Sequence, residues 1–288
     1  MKKLLKWICP VLIAVCLAVF FGYRALDRAI TDTVAPVITL EEGILELSVT
    51  EGESALLRGI TATDDRSGDV TESLVVERVH LQDSKGNALV SYAAFDAAGN
   101  VTKAERRVCY TDYVSPRFSL SRPLIFPQNS GVNVLDAVSV TDMLEGDISH
   151  RLRATNLSGT ALTAVGSYEL QFQVTNSFGD TVRLQLPVEV YAAGTYEAGL
   201  TLTDYLIYLE AGADFVPESY LKEFTRTGET TDLSAGLPEG FTLHIGGEVD
   251  TETPGVYVVS YELTYTQPSD LGSRAYTGYT RLIVVVEG

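Results

Sequence analysis

Three stretches of this chain alternate apolar and polar residues in the same phrase, each opened by a glycine. They read GNALVSYAAF from Gly86, GSYELQFQV from Gly166 and GVYVVSYEL from Gly255. Alternation with period two marks a half-buried strand, because successive side chains point to opposite faces. In the second stretch Tyr168, Leu170, Phe172 and Val174 fall on one face, with Glu169, Gln171 and Gln173 on the other. The third groups Tyr257, Val259, Tyr261 and Leu263, while the first uses the smaller set Ala88, Val90, Tyr92 and Ala94. Tyr92, Phe172 and Tyr261 share one aromatic position. The closing run Leu282-Ile283-Val284-Val285-Val286 does not alternate, so one edge there is expected to be covered.

The phrases recur at about eighty residues, and a fixed period means tandem copies of one structural unit. Pro36-Val37-Ile38-Thr39-Leu40 returns as Pro116-Arg117-Phe118-Ser119-Leu120, and Gly52 returns as Gly131. The segment from Asp64 to Asp69 returns as Asp142 to Asp147, and DAAGN from Asp96 as NSFGD from Asn176. The third copy lacks the paired aspartates and gains an insertion between Gln267 and Gly278. Strand-length segments separated by Gly, Asp, Asn and Ser turns predict an all-β chain of tandem β-sandwiches. The predicted boundaries are 32–113, 114–193 and 194–288, each unit long enough to bury its own core.

The strings TDDRSGDVTESL (63–74) and YAAFDAAGNVTKAERRV (92–108) resemble the bacterial immunoglobulin-like repeat of Gram-positive surface proteins. Related repeats are the hyalin type and the Ig-like domain of pesticidal crystal proteins. The shared pattern is an aspartate-rich turn ending Gly-Asp-Val-Thr, then an Asp-x-Ala-Gly-Asn turn and an alternating last strand. The first copy matches closely and the second moderately. The third matches mainly through Val249-Asp250-Thr251 and the Gly255 strand. The resemblance spans about residues 33–288, and implies Ig-like sandwiches with an extracellular adhesive or spacing role. It names no ligand. Tyr168 and Tyr257 also stand where a tyrosine corner would bond back to the backbone, whereas the first copy has Ala88 and should lack that brace.

Residues 1–31 are of another kind. Lys2, Lys3 and Lys6 precede an uncharged run from Trp7 to Tyr23, which sits at the lower limit for a membrane-spanning helix. The leading lysines place the N-terminus in the cytoplasm, with Trp7 and Tyr23 as interfacial anchors. A cleaved signal peptide and lipoprotein processing at Cys16 are the rival readings. Bulky Phe20, Phe21 and Tyr23 at the exit argue against cleavage. The expected localisation is the cell membrane, single-pass, with everything C-terminal outside.

Charge and cysteine use fit export. Residues 1–30 carry five basic side chains against one acidic, a net +4, so the rest carries −21 of the total −17. Such a surface excludes nucleic acid and anionic lipid as charge-driven partners. Cys109 alone of the three cysteines lies beyond the apolar run, so packing rather than a disulfide must hold the sandwiches. Aligning the copies places Cys109 outward between inward Val108 and Tyr110, and the same register turns Arg106 toward the core.

Chemistry is sparse. His80, His150 and His244 fall at non-equivalent points of the copies, and no nucleophile, phosphate-loop or zinc pattern is present, so no enzyme activity and no cofactor are expected. The oxygen-rich clusters Asp64, Asp65 and Asp69, and Asp142, Glu145 and Asp147, suit calcium, although Asp and Gly there also serve as ordinary turn formers. Tyr265, Tyr276 and Tyr279 bracket the third-copy insertion. They are read either as an exposed ligand-binding patch or as cross-strand packing. The functional expectation is a membrane-anchored binding or adhesion module with a protein or glycan ligand. A structural spacer or envelope-assembly subunit without its own ligand is the alternative, and an accessory subunit pairing through the helix is a third reading.

Overall fold

The computed structural model describes residues 12–24, 31–156, 162–267 and 273–288, and the fold is mostly β. Seven strands make the first sandwich: β1 (Val37–Leu40), β2 (Leu45–Leu47), β3 (Ile60–Asp64), β4 (Gly68–Asp69), β5 (Val75–Leu81), β6 (Asn87–Phe95) and β7 (Val101–Tyr110). The second contains β8 (Arg117–Leu120), β9 (Ile125–Pro127), β10 (Val138–Asp142), β11 (Gly146–Asp147), β12 (Arg153–Asn156), β13 (Gly166–Thr175) and β14 (Thr181–Tyr191). The third contains β15 (Gly199–Leu202), β16 (Leu206–Glu210), β17 (Leu221–Arg226), β18 (Glu229–Asp232), β19 (Phe241–Gly246), β20 (Gly255–Gln267) and β21 (Arg274–Glu287).

One topology serves all three. A three-stranded sheet (β1-β3-β4, β8-β10-β11 or β15-β17-β18) accompanies a four-stranded one (β2-β7-β6-β5, β9-β14-β13-β12 or β16-β21-β20-β19). The short second strand of each copy runs parallel to the last, as Leu45 opposite Val108 shows in the first. The shared aromatic is the centre of each core: Tyr92, Phe172 and Tyr261 are all fully buried. A buried phenol needs a partner. Tyr92 donates to Leu56 O at 2.9 Å and Tyr261 to Pro217 O at 3.0 Å, each reaching a short 3₁₀ turn.

Both tyrosine corners form. Tyr168 Oη donates to Ala164 O at 2.7 Å and Tyr257 Oη to Thr253 O at 2.8 Å, four residues upstream in each case. Gly86, at φ +83°, lies so close to the Tyr110 carbonyl that a Cβ would sit 2.2 Å from it. The glycine is therefore fixed by both sterics and dihedral.

Two compact units emerge, one ending at Tyr113 and one running from Val114 to Gly288. Within the second unit, the non-alternating run of β21 is buried on both faces. Leu282, Val284 and Val286 enter the third sandwich's core, while Ile283 joins Leu206 in the core of the second. The covering predicted for an edge is thus a covered face, and the second and third sandwiches share apolar packing.

The expected membrane-spanning helix is not borne out. Residues 12–24 are helical, about 20 Å long at 1.5 Å per residue, against a hydrocarbon core of about 30 Å. Among the described residues no helix is long and apolar enough to cross a membrane. Residues 7–11 of the expected span lie outside the described set.

Candidate functional site

The predicted aspartate clusters are rearranged in space. Asp64, the last residue of β3, accepts from Arg66 N at 3.0 Å and Ser67 N at 2.6 Å through Oδ1, closing the turn to β4. These donors hold its carboxyl below the usual range, that of Ser67 most. Asp65 and Asp69 are exposed, and Asp69 is engaged by Thr71 N at 2.9 Å. The residues that do join Asp64 come from distant segments. Asp32 precedes β1 and Asp96 follows β6; one oxygen of each of the three carboxylates lies within 4.8 Å of the others. Sequence reasoning missed Asp32 and Asp96 because it grouped carboxylates by proximity along the chain. Strand pairing was the available signal: Val37 opposite Thr63 brings the entry to β1 beside the exit from β3.

Asp96 is itself well ordered by its turn. Asn100 N donates to Oδ1 at 2.8 Å and Asn100 Nδ2 to Oδ2 at 2.6 Å, while the same Nδ2 reaches Asp32 O and Val34 O. Burial pushes the Asp96 carboxyl up, but the combined Asn100 and turn donors outweigh it and the net shift is downward.

The second cluster is engaged by protein donors, from its own turn and from the turn after β13. Asp142 Oδ1 accepts from Leu144 N and Glu145 N, both at 2.9 Å. Glu145 holds Arg151 in a bidentate pair at 2.9 and 3.1 Å and receives Ser177 N at 2.7 Å. Asp147 is occupied by Ser149 N at 2.9 Å.

The tyrosines of the third copy pack rather than project. Tyr276 is buried. Tyr265 lies 4.7 Å from the Phe241 ring, and the Arg226 guanidinium sits over the Tyr265 ring at 4.2 Å. Tyr279 stacks on Tyr196 at 5.0 Å and donates to Glu189 at 3.2 Å, at the junction with the second sandwich. Of the two readings of these residues, the geometry favours packing: β20 and β21 pair as far as Gln267 opposite Arg274, and the three rings meet neighbours.

A hollow of about 420 Å³ lies elsewhere, on the first sandwich, a size within the usual range for ligand pockets. Ile44, Leu89 and Val108 supply apolar contact, and Asp83, Asn87 and Arg107 surround it with polar groups. Asp83 accepts from Asn87 Nδ2 at 2.7 Å, which fixes one side of the rim.

These features define a mostly β protein built of β-sandwiches. No family model matches the chain. Over 211 residues, 71% of its length, it is 26% identical to the pesticidal crystal protein Cry22Aa of Bacillus thuringiensis. The matched part is 27% of that protein, so the chain spans about a quarter of its relative. Among solved structures, it is similar to the CBM51-2 and INT domains of Clostridium perfringens ZmpB, in complex with GlcNAc, at 15% identity and a TM-score of 0.22. That match covers 88% of this chain and 44% of the other. It is also similar to Drosophila N-cadherin EC1-3, at 12% identity and a TM-score of 0.29, covering 86% and 99% respectively.

Proposed function

We propose that this is an exported surface protein, held at the membrane by its N-terminal segment, whose sandwiches bind a protein or glycan ligand outside the cell. One contrast carries the reading. In the helix 12–24 the large side chains Leu12, Ile13, Val15, Leu17, Val19, Phe20, Phe21 and Tyr23 are all at least 50% exposed, whereas the sandwiches bury most of theirs and expose only scattered ones such as Val37 and Ile44. An apolar helix left exposed among the described residues calls for lipid, and the lysines before it set its direction. The acidic sandwiches then extend from a membrane that is itself negative.

The hollow beside Ile44 and Arg107 is the ligand surface we assign. Its apolar floor suits the C–H face of a sugar or an aliphatic side chain, and Asn87 and Arg107 can bond hydroxyls or carbonyls. The test is glycan- and peptide-array screening of the full-length protein in detergent, with Ile44→Asp and Arg107→Ala beside it. Specific binders lost in both variants support the reading; binders that survive both variants place the ligand elsewhere.

A spacer role is the second reading, and the shared packing at Ile283 favours it. Sandwiches that merge their cores make a stiff element, as a spacer requires. An array without binders, together with membrane retention of the full chain, would select it.

A further inference from the structure

We infer that Asp32, Asp64 and Asp96 form a calcium site at one end of the first sandwich. Three carboxylates from three separate segments converge there, with donor oxygens within 4.8 Å of one another. Calcium bonds oxygen at about 2.3–2.6 Å, so two of its ligands stand no more than about 5 Å apart.

Asp64 is only 9% exposed, and its Oδ2 is buried without a hydrogen-bond partner. Its Oδ1 is spent on the turn, so Oδ2 is the oxygen of this converging carboxylate left without a protein donor. A buried carboxylate oxygen with no donor costs free energy unless a cation meets it.

The second sandwich contains the same corner solved differently. There Asn176 stands in place of Asp96, and its Nδ2 donates to Asp142 Oδ2 at 3.0 Å. Asp142 is 2% exposed, so the oxygen corresponding to the orphaned one is buried and satisfied. An amide proton donor in one copy marks the place where the other copy leaves room for a positive charge. Asn176 also keeps the turn: its Oδ1 accepts from Asp180 N at 2.9 Å, as Asp96 Oδ1 does from Asn100 N.

The ion would do mechanical work. Asp64 ends a strand of the three-stranded sheet, Asp96 follows a strand of the four-stranded sheet, and Asp32 belongs to the segment leading into β1. One cation therefore ties both sheets to the incoming chain. With three protein carboxylates and the remaining positions filled by water, the affinity belongs with extracellular modules, at a Kd of roughly 10⁻⁴–10⁻³ M.

Calorimetric titration of the EDTA-treated full-length protein with calcium chloride tests this at constant ionic strength. One saturable calcium per chain is expected, with a thermal midpoint that rises with calcium. Asp96→Asn copies the arrangement of the second sandwich, so it should fold, keep its circular dichroism and bind calcium at least tenfold more weakly. Asp32→Asn should weaken binding as well. No saturable calcium binding up to 10 mM (about ten times the upper Kd expected), unchanged affinity in Asp96→Asn, or magnesium binding as tight as calcium's would overturn the assignment.

Discussion

Glu189 on β14 and Arg281 on β21 meet at 3.1 Å, joining the second sandwich to the third through a partly buried ion pair. Tyr279 donates to the same carboxylate, and Arg117 on β8 pairs with Glu287, the last residue of β21. Beneath this polar layer Ile283 packs into the second core at 3% exposure. The two sandwiches should therefore unfold together. Ile283→Ala is expected to cost about 2–4 kcal/mol, as large-to-small changes at well-packed sites do. Differential scanning calorimetry should show a single transition for this unit in the parent and a lower, broadened or split one in the variant. Glu189→Ala leaves Arg281 without that carboxylate and should cost about 1–3 kcal/mol.

The tyrosine corners give a graded test. Tyr168→Phe removes a 2.7 Å bond from a residue 7% exposed and should cost about 1 kcal/mol. Tyr257→Phe breaks a more exposed bond and should cost less. Urea titration of both variants measures the difference, and equal losses would mean that exposure does not set the value of this brace.

How far the sequence carries can be judged residue by residue. Alternation in β13 was readable because its outer face is only polar, and Glu169, Gln171 and Gln173 leave one way to orient it. Arg106 was turned inward by the same register, and the structure explains how a core accepts it: Nη1 donates to Arg58 O at 2.7 Å. Ile283 was not assignable, since a run apolar on both faces does not say what covers the second. Tyr276 and Tyr279 look alike in sequence, yet one enters a core and the other a junction that only the arrangement of two sandwiches creates. Asp32 went ungrouped for a different reason, because its partners arrive through strand pairing within one sandwich and not through proximity along the chain.

Alkaline pH should expose Tyr92. Burial pushes its phenol from an ordinary 10.0 up to about 12, with Arg106 opposing. A group whose folded pKa is raised contributes stability in full below its unfolded value and loses it as pH climbs through the folded one. The loss thus falls between about pH 10 and 12, and amounts to roughly 2–3 kcal/mol at about 1.4 kcal/mol per unit. Tyr92→Phe should be about 1 kcal/mol less stable at pH 7, where it lacks the bond to Leu56 O, and less sensitive to pH above 10. Denaturant midpoints at pH 7, 10 and 11.5 check this; parallel curves for parent and variant would refute it.

Cys109 provides a test of register and of topology at once. It lies on β7 between buried Val108 and buried Tyr110, opposite Asn87 on one side and Glu46 on the other, and is itself half-buried. Alternation points its thiol away from the core, and no disulfide engages it among the described residues. A thiol reacts as its thiolate and only where reagent can reach it, so partial exposure predicts slow labelling of the native protein rather than none. Cys16 is exposed along the 12–24 helix and would be shielded by lipid if that segment is embedded. A membrane-impermeant maleimide applied to intact cells should therefore modify Cys109 and leave Cys16 unmodified until detergent is added. Rapid modification of Cys16 in intact cells would remove the membrane reading. Labelling of Cys109 only after denaturation would mean that β7 is covered by a partner or a neighbouring segment.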